Sequence, residues 1–331
     1  MIRIPGKWKN GFNAAALACG LALSPLAASH AAAWPDHTLT LIVPFGPGSS
    51  PDQMSRIVAD QASKILGQTI IVQNKPGAGG DLGTAAIAHA KPDGYTFGAS
   101  ITGPLVNNTV LYKDLPYDPK TELAPLTLAV DQPDVLVVPS KSGIKTIQDL
   151  MKSIKDNPGK LNFATPGTGT VSQLAVELLL QKIKAKATHV PYPSSPKALT
   201  SMLTGDTQFA ALPPISVMAM VNDGRLRALA VTSERRSGAL PSIPTMSEVG
   251  VPGIVGSAWI GFVAPAKTPA DVQKKLSDAL IQAIKSPEVT KRLKAQYMDP
   301  VASTPAEFRR YMDEELARWK PLIEQLHLQV N

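Results

Sequence analysis

The chain has 331 residues, 44% of them hydrophobic, with 33 Lys and Arg against 26 Asp and Glu and a formal net charge of +7. That length exceeds one comfortable core, so two domains are expected, and the mild, dispersed basic excess does not call for nucleic acid. A single cysteine, Cys19, excludes an internal disulfide framework.

At the N-terminus Arg3, Lys7 and Lys9 precede the apolar run 14–26, and Ala31-Ala32-Ala33 offers a cleavage site before Trp34. Residues 1–33 therefore read as a secretory signal peptide, so a soluble exported protein is expected. The run is too short and too rich in alanine to favour a retained membrane helix. Cys19 fits a lipoprotein site poorly and leaves with the signal. The exported chain would then hold no thiol, and 30 basic against 26 acidic residues.

Residues 39–43 alternate as a short buried strand that Pro44 stops. The loop Phe45-Gly46-Pro47-Gly48-Ser49-Ser50 follows. Pro51 then fits the first helical position, with Ser50 as N-cap and Asp52 in the first turn. Residues 69–73 form a second strand and residues 74–80 a second glycine loop. A short helix from Asp81 and a third strand at 95–99 complete a β-α-β-α-β pattern, the signature of a parallel sheet. Residues 100–119 are irregular. Strands at 126–130 and 135–138 follow, and the chain is expected to cross to a second lobe near Pro139.

There the design repeats. A strand at 161–164 leads into Thr165-Pro166-Gly167-Thr168-Gly169-Thr170 and a helix to residue 183. Strands at 188–191, 208–212 and 226–231 alternate with helices at 196–203 and 215–222. Residues 237–252, with three prolines, read as the return crossing. A strand at 258–263 and helices at 269–285, 287–295 and 304–326 finish the chain. Thr304, Pro305 and Glu307 make a capping box. The expected lobes are 34–138 with 253–331, and 139–252. Each would aim a glycine loop and a helix N-terminus at a shared cleft, and two crossings make a hinge.

The residues argue against an enzyme. Gly167-Thr168-Gly169-Thr170-Val171-Ser172 misses the dinucleotide fingerprint at its last position, and no acidic residue stands at ribose spacing. No Walker lysine and no Gly-x-Ser-x-Gly elbow occurs. The four histidines after the signal, His37, His89, His189 and His327, lack partners at metal spacing, so neither metal nor cofactor is expected. His189 is read as structural, and Glu314 and Glu315 as solvated. What remains is polar and unreactive: Ser49, Ser50, Ser100, Thr102, Thr168, Thr170, Ser194 and Ser195. Hydroxyls and amides of this kind hold a carboxylate by hydrogen bonds of about 1.5–3 kcal/mol each.

Six motifs occur in order: Pro44-Phe45-x-Pro47-Gly48-x-x-x-Asp52, Asn74-x-Pro76-Gly77-Ala78-Gly79-Gly80, Pro92-Asp93-Gly94-Tyr95-Thr96, Leu115-Pro116-Tyr117-Asp118-Pro119, Val190-Pro191-Tyr192 and Gly224-x-Leu226-Arg227-Ala228-Leu229-Ala230-Val231-Thr232. Together they resemble the periplasmic solute-binding receptors of tripartite tricarboxylate transporters, the Bug/TctC family. The resemblance spans essentially all of the chain after residue 33. It implies an α/β fold of two lobes, a Venus flytrap with a mostly parallel, helix-flanked sheet in each. It implies a monomer that captures a small carboxylate and hands it to the membrane permease of a tripartite transporter. Carried over, the carboxylate contacts are Phe45, Gly46, Ser49 and Ser50, then Thr168, Gly169 and Thr170. Tyr192, Ser194, Ala211 and Pro213 would line the second lobe, and Asp52, Ser100 and Thr102 complete the candidate set.

Three departures bear on the ligand. Ser49 stands where the family commonly has glycine. Pro193-Ser194 replaces Lys-Gly after Pro191-Tyr192. The strand at 208–212 runs into Pro213-Pro214 and supplies no aspartate for an amino group. A non-amino mono- or dicarboxylate, aliphatic or aromatic, is therefore expected. A sensor feeding a membrane kinase would use the same clamp, and a periplasmic enzyme would need a nucleophile and base that the residues do not supply.

Overall fold

The computed structural model of the protein describes residues 34–328; the expected signal peptide, with Cys19, lies outside the described residues. The chain runs β1 (Leu39–Val43), α1 (Ser50–Leu66), β2 (Ile70–Asn74), α2 (Asp81–Ala88), β3 (Thr96–Ile101), a π-turn at Gly103–Asn107, α3 (Asn108–Leu111), β4 (Leu123–Asp131) and β5 (Val135–Pro139). It continues with α4 (Ile147–Asp156), β6 (Asn162–Thr165), α5 (Val171–Ile183), β7 (Thr188–Pro191), α6 (Ser195–Thr204), β8 (Phe209–Leu212), α7 (Pro214–Asn222) and β9 (Leu226–Val231). The last elements are β10 (Ile260–Pro265), α8 (Ala270–Lys285), α9 (Pro287–Ala295), β11 (Asp299–Pro300) and α10 (Pro305–Gln325).

Two sheets result, in the orders β11-β4-β10-β3-β1-β2 and β7-β6-β8-β5-β9. In each, three parallel strands carry the loops of interest: β2-β1-β3 in the first and β7-β6-β8 in the second. The strands next to the crossings, β10 and β5, run antiparallel to their neighbours. Both sheets are buried on both faces, which is why β1 and β5 read as nearly continuous apolar runs. Leu41, Phe97 and Phe262 pack under α1 and α8, while Ile42, Val263 and Trp259 pack under α2 and α10.

The crossings fall elsewhere than expected. Val135–Pro139 pairs with β8 and β9, so the chain leaves the first sheet at 132–134 rather than near Pro139. A buried apolar run carries no mark of which sheet it joins, and the polar residues before it are the crossing itself. The return also comes later than residue 252. Leu240, Ile243, Met246, Val251 and Ile254 bury their side chains in the second lobe's cores. The chain comes back at 256–258 beside the outgoing strand: Ala258 N–H donates to the Gln132 carbonyl at 2.8 Å, and Pro133 and Ser257 form an antiparallel bridge.

α10 joins the lobes on the hinge side. The Thr304–Glu307 capping box starts it, and Trp319, Leu322 and Ile323 pack on Leu111 and on Val171 and Leu174 of α5. Glu315 is not solvated as expected: it is 1% exposed and accepts the indole N–H groups of Trp259 (3.2 Å) and Trp319 (3.0 Å). Residues 308, 312, 315, 319 and 322 follow helical spacing, so Glu315 shares the buried stripe, whereas Glu314 is exposed.

Candidate functional site

Parallel register sets the site. Val43 stands opposite Asn74 and Ile42 opposite Gly98, so the loops after β1, β2 and β3 leave one edge of the first sheet. Thr165 stands opposite Pro191 and Ala164 opposite Ala210, so the loops after β6, β7 and β8 leave one edge of the second. The strand-end loops of each lobe are the usual place for a ligand in such sheets. On the first sheet they touch one another: a Cβ built on Gly80 would lie 3.0 Å from the Phe45 ring and 2.9 Å from Pro104. The two edges also meet. Asn107 Nδ2 donates to the Gly169 carbonyl at 3.1 Å, and a Cβ on Gly169 would lie 2.1 Å from Leu111 Cδ1.

The first loop is held by Asp52. Its carboxylate accepts the Gly48 N–H at 2.9 Å, Arg56 Nε at 3.0 Å and Asn74 Nδ2 at 2.9 Å. Asn74 Nδ2 also donates to the Phe45 carbonyl at 2.8 Å. Burial works against the charged form of Asp52, but the bonds from Arg56, Gly48 and Asn74 outweigh it and hold the carboxyl below its ordinary value. Asp52 thus faces inward and shapes the loop; a carboxylate with its oxygens so engaged is no ligand contact. The N-cap is Ser49 rather than Ser50, its Oγ accepting the Asp52 N–H at 3.4 Å. Among the described residues no protein acceptor takes the N–H of Phe45, Gly46 or Ser50. These donors lie at the positive end of a 17-residue helix.

The second loop is built the same way. Thr170 is the N-cap of α5; its hydroxyl accepts the Gln173 N–H at 3.4 Å and donates to the Gly167 carbonyl at 2.8 Å. The Gly169 N–H donates to Gln173 Oε1 at 2.8 Å, with Gly169 at φ 75°. The Thr170 hydroxyl and the Gly169 N–H are therefore already engaged. Among the described residues the N–H groups of Thr168 and Thr170 have no protein acceptor, and Thr168 is exposed. His189 packs on Phe163 with ring centroids 5.0 Å apart, and its Nε2 lies 2.6 Å from Thr165 Oγ1. Burial lowers its pKa to about 4, so the ring is neutral near pH 7 and serves packing.

The other candidates separate. Ser194 caps α6 with no side-chain cap bond, Tyr192 and Pro213 are half-buried, and the Tyr192 N–H is tied to the Thr165 carbonyl at 2.9 Å. Ala211 is 1% exposed and points into the second lobe's core, because it lies on the face of β8 that covers Leu136 and Phe163. Ser100 is fully buried and bonded to Thr84 Oγ1 at 2.8 Å, beneath α2 rather than at the edge. Thr102 is 2% exposed, and its hydroxyl has no partner among the described residues. Trp259 is core, edge-on to Phe308 and Tyr311.

The sequence reading gives Thr102 and the Leu115–Pro119 motif after β3 but no site role to Asp81, Asn107 or Asn108. Asp81 is buried and accepts Asn108 Nδ2 at 2.7 and 2.9 Å and the Tyr117 hydroxyl at 2.8 Å. Burial raises the Asp81 pKa, opposed by the bonds from Asn108 and Tyr117. This network pins the start of α2 to α3 and to the Leu115–Pro119 motif. Adjacent Asn107 and Asn108 in an irregular stretch were the available signal.

The hinge holds a buried carboxyl group. Asp134 is buried on the outgoing crossing, where Ser172 Oγ donates to its Oδ2 at 2.6 Å. Desolvation drives its pKa up to about 7, with Ser172 opposing. Among the described residues no three His, Cys, Asp or Glu side chains converge as a metal site would need.

Comparison with known proteins agrees with this architecture. The pattern of the tripartite tricarboxylate transporter family receptor matches residues 54–328. The chain is 33% identical over 293 residues to BugT of Bordetella pertussis, covering 88% of this chain and 90% of BugT. The structure of Rhodopseudomonas palustris Rpa4515 with adipate aligns at a TM-score of 0.83 and 27% identity, covering 88% of this chain and 97% of that one. MatC from the same organism, with bound malate, aligns at 0.79 and 28%, covering 87% and 99%. The chain belongs to the tripartite tricarboxylate transporter receptor family, and it has the two-domain fold of periplasmic solute-binding proteins rather than of enzymes.

Proposed function

We propose that this receptor captures a small non-amino mono- or dicarboxylate between the two sheet edges and delivers it in the periplasm to the permease of a tripartite tricarboxylate-type transporter. The observation that carries this reading is the set of unengaged donors at two helix starts: the N–H groups of Phe45, Gly46 and Ser50 before α1, and those of Thr168 and Thr170 before α5. The Ser49, Ser50 and Thr168 hydroxyls add to them. An anion gains from such donors without needing a cation beside it, and each bond to a charged acceptor contributes about 1.5–3 kcal/mol. Rpa4515 and MatC, similar over most of this chain, carry adipate and malate. The stretch from β8 into Pro213 and Pro214 offers no carboxylate to an ammonium group. Each lobe supplies half the grip, so the ligand favours the closed arrangement, and the paired crossings at 132–134 and 256–258 bend as it forms.

A thermal-shift and calorimetric screen tests this. Succinate, adipate, malate and benzoate represent the expected class; glutamate and aspartate represent the excluded one. An acid of the first group at 100 times its Kd should add about 2.7 kcal/mol of stability. Tight, saturable binding of glutamate or aspartate would overturn the ligand class. Absence of binding by every acid would overturn the reading.

A further inference from the structure

Among the described residues, two buried polar atoms in the seam between the lobes have no partner: the Thr102 hydroxyl and Asn107 Oδ1, on residues 2% and 0% exposed. They bracket the π-turn Gly103–Asn107, in which the Asn108 N–H reaches back to the Gly103 carbonyl. A π turn, bonded i to i+5, is rare, and such turns gather at functional sites. The Asn107 amide is not free to rotate. Its Nδ2 donates across the seam to the Gly169 carbonyl, so its Oδ1 is the opposite end. That oxygen can only accept. A buried acceptor left bare loses about 1–3 kcal/mol, so such sites are filled by a water or by a ligand group.

The carboxylate grip proposed above cannot fill this one, because a carboxylate also only accepts. A hydroxyl donates to Asn107 Oδ1, and the Thr102 hydroxyl, donor and acceptor both, complements it. An ammonium would donate too, but a buried cation needs a counter-charge. Asp81, joined to this turn through Asn108, already has both oxygens engaged by Asn108 and Tyr117.

Resting on that carboxylate reading, we infer that the receptor selects hydroxy acids: Asn107 Oδ1 accepts the ligand's hydroxyl, and the Thr102 hydroxyl, at the start of the same turn, is its second contact. The Gly169 carbonyl fixes the acceptor from the other lobe, so the hydroxyl is read where the lobes meet.

Calorimetry on the receptor with matched pairs, malate against succinate and 2-hydroxyglutarate against glutarate, tests this. Wild type should bind the hydroxylated member of at least one pair ten-fold or more tighter. The ratio should fall below three-fold in Asn107→Leu and in Thr102→Val, the second guarding against a folding defect in the first. Equal affinity within both pairs in wild type would mean that a water occupies the seam, and would overturn the inference while leaving carboxylate capture intact. An unchanged ratio in both variants would overturn the residue assignment. If no acid of either pair binds, this inference fails, and the carboxylate reading is then decided by the wider screen with adipate and benzoate.

Discussion

Replacing Asp52 by Asn tests whether this carboxylate builds the first loop. The side chain is 3% exposed and takes donors from Gly48, Arg56 and Asn74 at 2.9–3.0 Å. Asn keeps the shape but puts an NH2 group where one carboxylate oxygen accepted, so at least one donor faces another donor. Bonds to a charged acceptor contribute about 1.5–3 kcal/mol each, and the Arg56 share is smaller because that side chain is half-exposed. The expected loss is about 2–4 kcal/mol at pH 7, roughly 4–10 °C in Tm for a unit of this size. The sign with pH follows from the lowered pKa. An Asp held below its ordinary 3.8 contributes stability that is complete above that value and lost as pH falls through the folded value. The gap between wild type and Asp52→Asn, read by differential scanning calorimetry from pH 3 to 7, should therefore narrow below about pH 4. Equal melting at pH 7, or a gap that persists undiminished at pH 3, would refute the reasoning.

Two further substitutions probe the packing and the hinge. A Cβ on Gly83 would lie 2.5 Å from Pro44 Cα and 2.7 Å from the Lys75 carbonyl, both backbone. Gly83→Ala should therefore lower the urea midpoint by the equivalent of about 1–3 kcal/mol, despite alanine's better helix propensity; a gain would show that α2 does not lie against the end of β1. Asp134 has its pKa raised to about 7 by burial, so its stability contribution is complete below about pH 4 and lost as pH rises through about 7. Asp134→Asn keeps an acceptor for Ser172 and should be more stable than wild type at pH 8 by on the order of 2–4 kcal/mol, with no difference of that kind at pH 4. Tm measured against pH checks this, and a variant less stable than wild type at pH 8 contradicts it.

The repeated strand, glycine loop and capped helix are local features, so they stand open in the sequence: Pro51 falls in the first turn of α1, and the glycine loop ending at Thr170 opens α5. Sheet membership is not local. Val135–Val138 pairs in the second sheet through partners some 75 to 95 residues away, and nothing in the run names them. Charged residues misled in one direction. Asp52 reads as a site residue and Glu315 as a solvated residue on the polar face of the last helix; both are buried where donors from distant segments converge. The family motifs fall largely on such holding residues. Asn74 anchors Asp52, Tyr117 anchors Asp81, and the Thr232 N–H bonds the Asp134 carbonyl at 2.9 Å. Residues that hold loops in place report the fold more sharply than the ligand.

A crystal structure of the receptor with the acid that binds it most tightly tests the grip directly. One carboxylate should lie between the starts of α1 and α5, its oxygens about 2.7–3.1 Å from amide nitrogens among Phe45, Gly46 and Ser50 on one side and Thr168 and Thr170 on the other. An acid bound instead in the open depression between α1 and α8, against Gln61, Asp278 and Lys285, would contradict it.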